Sequence, residues 1–326
     1  MDWEIYSSRF AKAAQDRGDH YIERCLAYAK RLNDQSLPII YSPDHLGKLT
    51  GYDPAYLRYV AYKQRSFYRE FSIPKKSGGV RSISEPLPNL KSIQQWILTS
   101  ILYKLEPSVY AKAFVPQRSI KENARFHRSQ EMVFTVDIRD FFPSLSVKRI
   151  NNIFLSLGYE RRVAYYLTRL CSLDGGLPQG APTSPALSNI IFSPTDNRIA
   201  KYCTPLGIRY TRYADDLTFS GNFSVSDLLK IIRRELSALE LTLNDSKTRL
   251  MKKHERQIVT GVVVNEKLNA TRELRRGLRQ SAYYIQKYGL ENHINRIDEK
   301  RGNYLLHLIG QATLGVSEFL CKRDFV

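Results

Sequence analysis

The chain has 326 residues, 43% hydrophobic and 11% aromatic, which is enough to bury a sizeable core and too apolar for a disordered tail. Lysine and arginine number 50 against 32 aspartates and glutamates, a formal charge of +18 that points to a polyanionic partner such as nucleic acid. No apolar run approaches the ~20 residues that span a bilayer, the N-terminus MDWEIYSSRF carries two acids and lacks an apolar signal core, and the four cysteines form no CxxC pair; these features argue against a membrane protein, a secreted protein and a zinc knuckle, and favour reduced thiols in a cytoplasm.

Residues 20–32 place Tyr21, Ile22, Cys25, Leu26 and Ala29 at helical spacing. In SPDHLGKLTGYDPAYLRYVAY, Ser42-Pro43 and Asp53-Pro54 each set an N-cap residue before a proline. Two short helices joined by Thr50-Gly51 are predicted, either a DNA-reading helix-turn-helix or a small pair packed on a larger domain. FYREFSIPKKSGGVRSIS, residues 67–84, predicts a hairpin about Gly78-Gly79. MVFTVDI, residues 132–138, alternates as a strand, with Val136 and Ile138 on one face and Thr135 and Asp137 on the other. Residues 147–170 read as mostly helical, and Ile208 to Ser220 as a second hairpin with Ala214-Asp215 near its tip. Ser226 is expected to cap a helix running to about Leu239, with Leu228, Leu229, Ile232, Leu236 and Leu239 on one face. Strands follow near 248–252 and 257–264, and the last 55 or so residues are helical again. There is no repeat, low-complexity tract or Gly/Ser linker, so interwoven lobes are expected. The order suggests an α+β fold, an antiparallel sheet backed by helices of the split βαβ type.

Asp137 ends a predicted strand, and Asp215 and Asp216 lie at a predicted hairpin tip. If those strands are neighbours, three carboxylates converge at one end of the sheet, a costly arrangement without compensation. Mg²⁺ compensates it, since it favours carboxylate, water and substrate phosphate as ligands. Two such ions can clamp the attacking and leaving oxygens of an in-line phosphoryl transfer. A basic protein with an acidic metal pocket is what a nucleotide polymerase requires.

The sequence resembles reverse transcriptases in several places. YADD, residues 213–216, matches the family's YxDD box, and TVDIRDFFPSL, 135–145, resembles its first metal-binding motif. GLPQGAPTSPALSN, 176–189, resembles the motif under the template and incoming nucleotide. FSIPKKSGGVRSI (71–83) resembles the fingers hairpin, AFVPQRSIKENA (113–124) the motif after it, and LTLNDSKT (241–248) the motif after the catalytic hairpin. The matches run in the family's order over roughly residues 65–265. NARFH, 123–127, fits the NAxxH pattern of bacterial retron reverse transcriptases, and VTG, 259–261, fits their VTG triplet.

The resemblance implies a right-hand polymerase with an N-terminal helical extension (1–64), fingers and palm (65–265) and a helical thumb (266–326). It makes Asp137, Asp215 and Asp216 the catalytic acids holding two Mg²⁺ ions, with Asp216 the less direct ligand. Phe142 takes the place of an aromatic gate against the ribose 2′-OH, leaving Phe141 to the core. Lys75, with Lys76 as substitute, and Arg81 would grip the triphosphate; Gln179 and Gly180 would lie beside the nucleotide. Lys247 stands where polymerases can use a lysine to protonate pyrophosphate, though a plain surface lysine fits equally. Asn123, Ala124, His127, Val259, Thr260 and Gly261 would help select the cognate RNA, or else serve as packing residues.

Arg272, Arg275, Arg276 and Arg279 form a stripe at i, i+3, i+4, i+7. Leu274, Leu278 and Ile285 fall on another face, so the helix can hold duplex backbone by charge on one side and pack on the other.

As a retron enzyme the protein would copy its own non-coding RNA into branched multicopy single-stranded DNA (msDNA) from deoxynucleotides, priming from a guanosine 2′-OH. The family's role in antiphage defence implies a separate effector protein. The rival readings are a group II intron-like or other bacterial reverse transcriptase, and a non-catalytic nucleic-acid-binding protein with a dead palm.

Overall fold

Capping chemistry sets the first helices. In this computed structural model, which describes residues 2–74, 79–299 and 301–315, α1 (Trp3–Ala13) opens on the Asp2 carboxylate, which accepts from the amides of Glu4 and Ile5. After α2 (Asp19–Asp34), Ser42 caps α3 (Pro43–Thr50) and Asp53 caps α4 (Pro54–Tyr62), with Gly51 left-handed between them at φ 78°. Strands β1 (Tyr68–Pro74) and β2 (Val80–Pro86) pair antiparallel, Tyr68 opposite Pro86. Next come α5 (Pro88–Ser100), α6 (Ile120–Phe126), β3 (Met132–Asp137), α7 (Phe141–Ser144), α8 (Val147–Ser156), α9 (Arg161–Cys171) and α10 (Ser184–Cys203). The chain continues through β4 (Arg209–Tyr213), β5 (Asp216–Gly221), α11 (Val225–Ser237), β6 (Arg249–Lys252), β7 (Ile258–Val259), β8 (Val262–Val263) and β9 (Asn269–Ala270). Helices α12 (Arg272–Tyr288), α13 (Leu290–Arg296) and α14 (Tyr304–Gly315) complete the described chain.

These elements form two compact units. One holds the described residues of Met1–Ser108, Arg139–Thr195 and Leu236–Leu241; the other holds those of Val109–Ile138, Asp196–Glu235 and Thr242–Val326. In the first, the α3–α4 pair is a packing element: α4 lies on α9, and Arg169 Nε donates to the Ala61 carbonyl at 2.7 Å. The buried Gln64 amide donates to the carbonyl of Ser172 at 2.7 Å, and Gln94 to that of Leu170 at 2.8 Å, so polar side chains satisfy the end of α9.

The second unit carries a four-stranded antiparallel sheet in the order β4-β5-β3-β6. Phe134 of β3 faces Phe219 of β5 across the ladder, both fully buried, with Tyr210 of β4 stacked on Phe219 at 5.0 Å. A smaller sheet, β7-β8-β9, has its own hydrogen-bonded ladder.

Two local expectations are corrected. Residues 257–264 are not one strand: the chain folds back at Thr260-Gly261, both at positive φ (47° and 83°), and Val259 pairs with Val262. A two-residue turn with both centres left-handed matches the twist of a hairpin, and the glycine makes it accessible. The cap of α11 is also earlier than Ser226, because Ser224 Oγ accepts from the Asp227 amide at 3.4 Å and the Ser224 carbonyl takes the Leu228 amide. Either serine has the right chemistry; the one three residues before an available amide wins. Among the described residues no helix is long and apolar enough to cross a membrane.

Candidate active site

Asp137 ends β3, and Asp216 begins β5 directly opposite it in register. Asp215 precedes it in the tight connection between β4 and β5, and the Ile138 amide donates to the Asp215 carbonyl at 3.0 Å. On the other side of β3 the Asn244 amide donates to the Asp137 carbonyl at 2.8 Å. Backbone hydrogen bonds thus bring the three predicted acids to one end of one sheet.

The electrostatics show the cost of that convergence. Burial, then the charges of Asp215 and Asp137, push the Asp216 carboxyl up to about 7. Asp137 is only 6% exposed, and Lys247 Nζ donates to both of its oxygens at 2.9 Å. Burial acts to lower the Lys247 pKa, but the hydrogen-bonded Asp137 and the field of the other two acids outweigh it, and the net shift is upward. The Lys247 ammonium, on a half-exposed side chain, offsets part of the charge of the cluster.

The donor set fits a divalent cation, being made of hard carboxylate oxygens whose burial and mutual repulsion raise the Asp216 pKa. One rearrangement is needed. Among the described residues no three of these side chains already form a closed metal-ligand group, and both Asp137 oxygens are turned to Lys247.

The described residues expected beside the nucleotide, Arg81, Phe142, Gln179 and Gly180, belong to the first unit. Gln179 and Gly180 are fixed to the β1–β2 hairpin, whose Ser84 amide donates to the Gln179 carbonyl at 2.8 Å. Gly180 has φ 131°, and a Cβ there would stand 2.9 Å from the Ser84 carbonyl oxygen, so only glycine fits. Phe141 is buried against Phe192 at 5.9 Å between ring centres, whereas Phe142 is half-buried. Arg81 is exposed on β2. Lys75 and its substitute Lys76 lie outside the described residues.

Four residues of the two retron-type motifs, Asn123, Ala124, His127 and Val259, are buried. Ala124 and Val259 share one apolar cluster with Val133, Val262 and Val264. Asn123 and His127 are fully buried, so neither side chain offers surface to an RNA. Thr211 Oγ1 donates to Asn123 Oδ1 at 2.6 Å and stands 2.7 Å from His127 Nε2, while His127 Nδ1 stands 2.7 Å from Ser220 Oγ. With its single proton spent on Asn123, Thr211 must accept from Nε2–H, which leaves Nδ1 to accept from Ser220. Within NARFH the two intervening residues, Arg125 and Phe126, are exposed, and in the VTG triplet Gly261 is exposed at the turn. On α12 the four arginines are all exposed and Leu274, Leu278 and Ile285 half-buried, which is the predicted division of faces.

Sequence reasoning missed Arg212 and Asp196. Arg212, two residues before the turn, is completely buried and makes a two-pronged ion pair with Asp196, Nε to Oδ1 at 2.9 Å and Nη2 to Oδ2 at 2.8 Å. The available signal was periodicity: in β4, Arg212 shares a face with the buried Tyr210.

Residues 73–264 match the family model described as reverse transcriptase (RNA-dependent DNA polymerase). The chain is 35% identical over 261 residues to the retron Ec86 reverse transcriptase of Escherichia coli, covering 78% of this chain and 81% of that one. The chain belongs to the retron reverse transcriptases. It is also 36% identical over 267 residues to the retron Mx65 reverse transcriptase of Myxococcus xanthus, covering 74% of this chain but 62% of that longer protein. The fold is a mixed α+β reverse transcriptase fold, and the activity of such a reverse transcriptase is RNA-directed DNA synthesis from deoxynucleotides, run with divalent cations.

Proposed function

We propose that this reverse transcriptase copies part of its own structured non-coding RNA into branched msDNA, priming from a guanosine 2′-OH. We place it in an antiphage system with a separate effector, in the cytoplasm. The observation that carries the catalytic part is Asp137 facing Asp216 across β3 and β5, with Asp215 in the adjoining turn. The kinship with retron enzymes, together with NAxxH and VTG, supports the priming mode.

In this reading Asp137, Asp215 and Asp216 hold two Mg²⁺ ions, which when bound supply charge stabilisation to the phosphoryl oxygens. Lys247 stays protonated beside the cluster and is placed to give a proton to departing pyrophosphate. Phe142 rejects the ribose 2′-OH by clash. Lys75, Arg81, Gln179 and Gly180 bind the incoming deoxynucleotide, with arginine gripping phosphate oxygens through its fork. The exposed stripe Arg272, Arg275, Arg276 and Arg279 and the Thr260-Gly261 turn meet the RNA, while Asn123, His127 and Val259 shape the surface from inside.

The test has two arms. Asp215→Asn should abolish deoxynucleotide incorporation on an RNA template while leaving RNA binding intact; persistent synthesis would remove the site assignment. Sequencing the nucleic acid that copurifies from the host should give short DNA joined to RNA through a 2′ branch. Linear DNA extended from a 3′-OH would exclude the priming mode.

A further inference from the structure

We infer that Arg212, clamped by Asp196, is a positioning residue that sets the main-chain path of the turn carrying Asp215 and Asp216. The inference rests on the reading of those two acids as catalytic.

Both members of the pair are wholly buried, at 0% exposure. The Asp196 carboxylate, on α10, takes two parallel donors from the guanidinium at 2.9 and 2.8 Å, and Oδ1 accepts a third hydrogen bond from the Tyr210 hydroxyl at 2.7 Å. That fixes the plane of the guanidinium. The backbone of Arg212 is pinned as well: its amide donates to the Tyr110 carbonyl at 2.8 Å, and its carbonyl accepts from the Lys112 amide at 2.7 Å. The remaining prong is therefore aimed by the rest of the residue. It goes to the turn, with Nη1 donating to the Ala214 carbonyl at 3.2 Å.

Ala214 is where the turn needs holding. Its φ is +58°, in the left-handed region that favours glycine, and it immediately precedes Asp215. A residue held there relaxes unless its surroundings over-determine it. The Arg212 prong supplies that restraint from beneath, and the Ile138 amide holds the next carbonyl, that of Asp215. Stability alone does not account for the pair, since buried ion pairs can often be replaced by apolar side chains of similar volume without loss. What apolar side chains cannot replace is a directed donor at the Ala214 carbonyl.

The test uses the full chain and exploits that replaceability. The triple variant Arg212→Met, Asp196→Leu, Tyr210→Phe removes all three polar partners together, so no buried charge is orphaned. The expected result is a thermal midpoint near that of the wild type and a KM for deoxynucleotide within about threefold. The rate constant of single-nucleotide addition should fall by up to about 100-fold, the scale of an ångström-level displacement of reacting groups. Hydrogen exchange of the peptide spanning Tyr213–Asp216 should accelerate. Adding Ala214→Gly, which accepts positive φ without strain, should recover part of the lost rate. A folded triple variant with unchanged rate and exchange would overturn the inference, as would a rate loss that Ala214→Gly leaves untouched. If the triple variant does not fold, Arg212→Lys is judged by the same rate, exchange and rescue, because it keeps the charge against Asp196 and loses the fork. An active Asp215→Asn enzyme would instead refute the catalytic reading itself.

Discussion

His127 offers a quantitative test of the buried network beneath the β4–β5 hairpin. Burial, with the nearby charges of Arg209 and Lys112, holds its imidazole down at about 3, against an ordinary value of 6.5. Between those two values the unfolded chain carries one more proton at this ring than the folded chain does, so stability rises with pH across the window. Above pH 6.5 both states are neutral and the ring contributes no pH dependence. At ~1.4 kcal/mol per pH unit, lowering the pH from 7 to 5 crosses about 1.5 units of the window and removes about 2 kcal/mol. The assay is urea unfolding at pH 7 and pH 5 for the wild type and for His127→Gln, which retains hydrogen-bonding capacity but does not titrate. Every other ionisable group is common to both proteins, including His45, whose pKa burial also lowers. The wild type should lose about 2 kcal/mol more than the variant. Equal losses would show that the ring is not kept neutral between Thr211 and Ser220, and the network would have to be redrawn.

Three other outcomes are expected. Phe142→Ala should lower discrimination against ribonucleotides at least about tenfold in competition assays, since a clash is removed without touching the acids. Replacing Arg272, Arg275, Arg276 and Arg279 together by alanine should make the log–log salt slope of RNA binding shallower by about 3, one counterion-release contribution per lost contact; an unchanged slope would mean that the stripe is simply solvated. Gly180→Ala should lower thermal stability by ~1–3 kcal/mol and cut incorporation, because its new Cβ would press on the Ser84 carbonyl, 2.9 Å away.

What the sequence revealed depended on how local the cause was. The strand ending in Asp137 and the hairpin through Asp215 were legible because alternation and turn chemistry are written in consecutive residues. The fold-back at Thr260-Gly261 was not, since valines on both sides read as one continuous strand and threonine rarely adopts positive φ. His127 and Asn123 were recognisable as a motif, yet both bond to Thr211 of β4, 84 and 88 residues further along the chain, which no local pattern reports. Arg212 was hidden differently. An arginine in a basic protein is expected at the surface, and the two-pronged pairing with Asp196 on α10 makes the interior position tolerable.

Asp137 faces Asp216 because Phe134 faces Phe219 three rungs away on the same ladder. Side chains alternate along a strand, so a slip of one residue between β3 and β5 would send one carboxylate to the opposite face of the sheet. The alignment of two oily rings in the interior is thus a condition of the chemistry at the sheet's end. Shrinking either fully buried ring to alanine would cost about 3–5 kcal/mol of stability and loosen that alignment, so turnover and stability would fall together.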